Sequence, residues 1–164
     1  MSEHLAPDPF ILFRENVSVK TMVSTLVGNT LVLLHSEAPP SDDEWAKYID
    51  LMRSIKDITK ARSIAFTDGG APNSRQRKDV NDILRGRPGL AVVVSHNTLV
   101  RGVVTALNWF NPLVKSFPPD KLSEAYDYLK LSREEVFKLN KAIEDLHVEL
   151  GFRLKCSPTK LQLR

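Results

Sequence analysis

Two runs of β-forming residues separated by a two-residue turn set the frame of this chain. Met22-Val-Ser-Thr-Leu-Val27 and Thr30-Leu-Val-Leu-Leu-His35 flank Gly28-Asn29. Both turn residues tolerate φ > 0, which favours a tight antiparallel hairpin. Pro39-Pro40 stops the second strand, and from there helix and strand signals alternate. Ser41-Asp-Asp-Glu44 is a capping box, in which a hydroxyl and a carboxylate satisfy first-turn amides. The helix it opens carries Trp45, Tyr48, Ile49, Met52 and Ile55 on one face and is expected to end near Lys60.

Ser63–Thr67 reads as a short strand and 68–72 as a loop. Asn73-Ser-Arg-Gln76 opens a second helix, stopped after Arg85 by Gly86 and Pro88. Its apolar face is only Val80, Ile83 and Leu84, so most of it should face water or a partner. Gly89–Ser95 is continuously apolar up to its last residue and predicts a strand buried on both faces. A third helix containing Leu99, Val100, Val103, Val104 and Leu107 should follow, ended by Asn111-Pro112. Leu113–Phe117 reads as an edge strand, and Asp120 as the cap of a short helix to Leu129. This order predicts an α/β sandwich: a mixed, mostly parallel four- to five-stranded sheet with helices packed on it and a long C-terminal helix.

That last helix opens at a third capping box, Ser132-Arg-Glu-Glu135, and stops at Gly151. Val136, Leu139, Ile143, Leu146 and Leu150 repeat at three and four, a narrow apolar stripe. The stripe suits docking on the chain's own sheet or pairing with a second copy, a homodimer through 132–150. The organisation expected is an extended arm over 1–16, one α/β domain over 17–130, the amphipathic helix over 131–151 and a basic tail over 152–164.

Composition narrows the function classes. At 164 residues the chain suits one domain that needs no disulfide or metal to hold it. Its single cysteine, Cys156, cannot close an internal disulfide, which fits a reducing, cytoplasmic setting. The formal charge of +3 is too small to argue for DNA. It is unevenly placed: residues 62–87 hold six basic and three acidic side chains, and 152–164 hold four basic and no acidic ones. No apolar run approaches the ~20 residues of a membrane span, and the N-terminal stretch predicts no signal peptide. His4, His35, His96 and His147 have no metal-ligand spacing, so neither a metal nor a cofactor is expected.

The segments Phe66–Arg77, Arg87–Ser95, Leu99–Leu107 and Ala125–Leu129, in this element order, resemble the STAS fold of anti-sigma-factor antagonists. They resemble more closely the STAS-like proteins related to lipid-binding CRAL-TRIO domains. The resemblance covers about residues 20–130 and implies a non-enzymatic, regulatory protein-binding module. In that family the loop and helix start after the third strand carry an Asp-Ser pair whose serine a kinase phosphorylates. The equivalent stretch here is Thr67–Ser74, where Asp68 is followed by Gly69. The implied phosphosites are therefore Ser74 or Thr67.

Read from the residues alone, 67–78 is a glycine-containing loop entering a helix N-terminus, a general anion-binding arrangement. Asp68, Gly69, Gly70, Ser74, Arg75 and Arg77 form a candidate site for an acidic or phosphorylated protein partner, with Arg101 reaching in from the next helix. The plainer account is a capped helix with a solvated face. Ser95 and His96 with Asp68 contain the residue types of a nucleophilic set, but adjacent side chains at a strand end diverge, and no catalytic residue is assigned. His35 reads as a hydrogen-bonded wall residue. The rival functions are a small-ligand or lipid-binding protein with an apolar pocket beside Trp109 and Phe110, and an enzyme acting on a phosphorylated substrate at 68–77.

Overall fold

The computed structural model describes residues 19–98, 100, 102, 104 and 111–158. The arm at 1–16, Arg101, Trp109, Phe110 and the end of the tail lie outside the described residues, as does most of the expected third helix.

The hairpin forms as its turn demands. Strands β1 (Met22–Val27) and β2 (Thr30–His35) pair antiparallel, Val27 opposite Thr30. Of the two turn residues only Gly28 takes positive φ, 59°, the pattern of a type II′ turn. β2 then pairs parallel with β3 (Arg62–Thr67), β3 with β4 (Leu90–Val94), and β4 with β5 (Val114–Phe117). The five strands lie in chain order. Right-handed crossovers between strands taken in sequence place the intervening helices on one face. Helices α1 (Asp42–Ser54) and α2 (Ser74–Leu84) lie there. The short α3 (Leu122–Tyr128) and long α4 (Arg133–Leu150) cover the other face.

Strand alternation divides the core between the two faces. Val23, Val32, Leu34, Ile64, Phe66, Val92 and Val94 turn toward Leu139, Ile143, Leu146 and Leu150 of α4. Met22, Leu31 and Leu33 turn toward Trp45, Tyr48, Ile49 and Met52 of α1. Each large apolar side chain removed from water contributes about 1.5–3 kcal/mol, so the α4 face is the better filled layer. The α4 stripe is thus consumed by the chain's own sheet. The homodimer expected through 132–150 loses the face it relied on.

All three capping boxes form reciprocally. Glu44 N–H donates to Ser41 Oγ at 3.2 Å and Ser41 N–H to Glu44 Oε2 at 2.9 Å. The Asn73/Gln76 and Ser132/Glu135 pairs repeat this geometry. The first helix is shorter than its apolar pattern suggested. It ends at Ser54, and Ile58–Lys60 form a separate 3₁₀ turn because the Asp57 side chain accepts from Thr59 N–H and starts a new cap. Asp120 does not cap the short helix either; the chain enters α3 through a 3₁₀ turn, Pro119–Lys121.

Residues 152–158 differ most from expectation. A basic tail was expected from residue 152, but over the described part Leu154 and Cys156 are buried in the α4-side core. Arg153 forks onto Glu144 at 2.9 and 3.0 Å. Lys155 Nζ reaches Glu37 at 2.6 Å. The local charge is paired, and the segment is a strap across the body.

Among the described residues, no helix is long and apolar enough to cross a membrane.

Candidate functional site

Open α/β sheets place ligands at the carboxyl ends of their strands. Here β2, β3 and β4 end at His35, Thr67 and Val94, with Ser95 just beyond. The loop after β3 folds back over these ends. Gly70 N–H donates to Ser36 O at 2.8 Å, and Asp68 N–H to His35 O at 3.1 Å. Gly70 O accepts from Thr67 Oγ1 at 2.9 Å and from His35 Nδ1 at 2.8 Å. Gly69 N–H donates to Thr67 Oγ1 at 3.1 Å, and Ser95 Oγ to Thr67 O at 2.7 Å. A Cβ on Gly70 would sit 2.3 Å from Ala38 O and 2.6 Å from Ser36 O, so only glycine fits this close approach.

This knot decides the fate of the expected anion cluster. The Gly69 and Gly70 amides are spent inside the loop. The Asp68 carboxylate faces the strap, accepting Lys155 N–H at 2.8 Å and Cys156 N–H at 2.9 Å. Arg77 donates to Pro72 O at 2.7 Å and to Ser74 Oγ at 3.1 Å. Arg75 pairs with Asp42 at 3.0 Å on the surface. Ser74, Arg75 and Arg77 are therefore brought together, while Asp68, Gly69 and Gly70 serve the fold. Of the two phosphosites, Thr67 is 5% exposed with its hydroxyl engaged, so the expectation narrows to the exposed Ser74. Ser95 is buried and His96 exposed, so the pair does not assemble. Burial, then the charge of Asp68, pushes the Cys156 thiol well up. Among the described residues no cluster of His, Cys, Asp and Glu is placed to hold a metal.

The sequence reading missed a cavity on the α1/α2 side of the sheet, of about 230 Å³. Its origin is legible in the strand alternation. β3 and β4 put Ile64, Phe66, Val92 and Val94 on the α4 face, and Ser63, Ala65, Ala91 and Val93 on the other. Small side chains there share the cavity with α2, whose apolar face is thin, and with Val100 and Val104, and among the described residues the layer does not fill. This also corrects the strand expected to be buried on both faces: Val92 and Val94 are buried, whereas Ala91 and Val93 are half-buried and line the cavity.

The wall is mostly apolar, with Tyr48, Ser63, Thr67, Asn81 and Asn111 among its polar members, and two buried ring nitrogens in it stand unpartnered. His35 is 5% exposed and Trp45 6%. Both line the cavity, and His35 Nε2 and Trp45 Nε1 have no hydrogen-bond partner. Unmet buried groups of this kind cost about 1–3 kcal/mol each. Burial lowers the His35 pKa, outweighing the opposite pulls of the Gly70 carbonyl and Glu44. The ring is neutral near pH 7. Because a carbonyl only accepts, its proton sits on Nδ1, leaving Nε2 a bare acceptor.

Nearby, partial burial raises the Glu44 pKa, but bonds from Thr21 and the Ser41 amide prevail and hold it at about 2. A depressed histidine and a depressed carboxylate act with the same sign: the unfolded chain binds more protons, so stability falls with pH. Loss should begin below pH 6.5 through His35 and His147 and continue from 4.5 to about 2 through Glu44 and Glu135. Urea midpoints measured from pH 7 to 3 should fall throughout. Glu44→Gln should lessen the slope of the lower limb only, Glu135 carrying the rest; an unchanged lower limb refutes the assignment.

Comparison with known protein families, with characterised proteins and with solved structures gives no match.

Proposed function

We propose that this protein is a non-enzymatic small-ligand-binding domain, its ligand held between the sheet and α1/α2 beneath the 68–72 loop. The observation that carries this is the 230 Å³ cavity with a mostly hydrocarbon lining and two unmet ring nitrogens in its wall. Its size is below the ~300 Å³ of ordinary ligand sites. An engineered apolar cavity of about 150 Å³ admits benzene, so the occupant here has about nine non-hydrogen atoms. The side chains that suggested chemistry are committed elsewhere, Ser95 to Thr67 O and Asp68 to the amides of Lys155 and Cys156, which supports binding over catalysis.

Toluene titrated into the ¹⁵N-labelled chain should give saturable shifts at Leu33, Ala65 and Ala91. Ala65→Leu, which fills the space from the β3 floor, should abolish them. Saturation without those residues, or binding that Ala65→Leu leaves intact, overturns the reading.

The STAS-like role of a regulatory partner-binding module rests on a different observation: Ser74, Arg75 and Lys78 are exposed together at the start of α2. An acidic or phosphorylated protein surface suits them. Arg75→Glu/Lys78→Glu spares Arg77, which holds the loop. It should remove specific partners from an affinity pulldown; an unchanged set rules out this face.

A further inference from the structure

The wall of the cavity selects a chemistry for its occupant, on the premise that it is a ligand site. Three unmet atoms belong to lining residues, and the third, Arg62 Nε, is on a side chain turned to Leu129, Lys130 and Glu135; the other two, His35 Nε2 and Trp45 Nε1, are opposite in kind. The Gly70 carbonyl fixes the His35 proton on Nδ1, so Nε2 seeks a donor. An indole N–H only donates, so it seeks an acceptor.

Four ligand classes can be set against that pair. A pure hydrocarbon meets neither atom. A carboxylate has no proton for Nε2, and the Nη groups of the arginines at the cavity edge, which could balance its charge or a phosphate's, are turned elsewhere. Arg62 is turned to Leu129 O, Lys130 O and Glu135, and Arg77 to Pro72 O and Ser74. An ammonium brings donors, but no carboxylate lines the cavity to balance its charge. A hydroxyl donates through its proton and accepts through its lone pairs.

We infer that the cavity takes a compact, neutral, mostly hydrocarbon molecule bearing one hydroxyl. This is an alcohol or phenol of about nine non-hydrogen atoms, whose hydroxyl donates to His35 Nε2 and accepts from Trp45 Nε1–H. The rest of the molecule lies over the small-residue floor of Ala65 and Ala91. Selectivity is built into the fold, because the knot that positions Gly70 also sets the histidine tautomer.

The test uses two probes of the same shape, 4-ethylphenol and 4-ethyltoluene, titrated into the full chain by calorimetry and by ¹H–¹⁵N spectroscopy. The phenol should bind about tenfold more tightly, the scale of a satisfied buried hydrogen bond. It alone should move the Trp45 indole N–H peak, identified by its absence in Trp45→Phe. His35→Phe and Trp45→Phe should each shrink the preference toward parity. Equal affinity of the wild type for both probes overturns the hydroxyl assignment and leaves the ligand site standing. Binding of neither probe overturns the site itself. The wild-type comparison is decisive even where a variant fails to fold.

Discussion

Gly70→Ala is expected to destabilise the chain by about 3–4 kcal/mol, near the upper end for a single substitution. The added Cβ would lie 2.3 Å from Ala38 O and 2.6 Å from Ser36 O. Both are backbone atoms, so no side chain can swing aside. The loop must retreat by about 1 Å to reach ordinary contact distance. That retreat breaks the Gly70 N–H bond to Ser36 O and slackens the two bonds that Gly70 O accepts from His35 and Thr67. Each buried group left unmet costs about 1–3 kcal/mol. In a chain of this size the loss amounts to roughly 10 °C in Tm. Gly28→Asn is the matched comparison: Gly28 has positive φ but nothing within 4 Å of a built Cβ, so asparagine, which visits φ > 0 more readily than most residues, meets backbone strain alone. It should cost under about 1 kcal/mol. Urea denaturation of both variants decides the matter, and a Gly70→Ala chain within 1 kcal/mol of wild type refutes the close-packing account. The same variant should lose the phenol preference, since His35 would no longer have a fixed acceptor for Nδ1.

The features legible in the sequence are those that short segments determine. A hairpin turn and three capping boxes each involve residues at most a few positions apart, and each forms. The alternation of elements was enough for the α/β class. Where the reading stopped short, the deciding partner was distant. The three-four stripe on α4 reports an apolar face and nothing about what covers it; the cover is β1 and β2. Asp68 looked like part of an anion site because its neighbours are glycines and arginines, yet its partners are amides 87 and 88 residues away. The cavity is an intermediate case. Ser63, Ala65 and Ala91 alternate visibly with Ile64, Phe66 and Val92, but their shared face emerges only when β3 and β4 pair in register, Ser63 beside Ala91. A continuous apolar run hides this, because alanine and valine both count as apolar while differing by the volume that makes a pocket.

Asp68→Ala should release the strap. The carboxylate accepts two backbone amides from Lys155 and Cys156, and bonds to a charged acceptor contribute about 1.5–3 kcal/mol each. With the site partly open to solvent, the lower end applies, giving about 3 kcal/mol for the pair. The strap has other holds: Arg153 on Glu144, Lys155 on Glu37, and His147 Nε2 at 2.8 Å from Ser157 Oγ. Exposed pairs of this sort contribute about 1 kcal/mol or less, so they do not replace Asp68. The consequence is local opening, with Leu154 and Cys156 withdrawn from beside α4. Amide exchange at Lys155 and Cys156 should speed up roughly 100-fold. Cys156 should begin to react with a disulfide reagent on the same timescale, helped by loss of the negative charge that raises its pKa. Asp68→Asn retains one acceptor oxygen but turns an amide toward the second N–H, so it should fall between wild type and Asp68→Ala. The cavity lies on the opposite face, so toluene binding should survive Asp68→Ala. Unchanged exchange at 155 and 156 would show that the strap is held by its side chains and not by the loop.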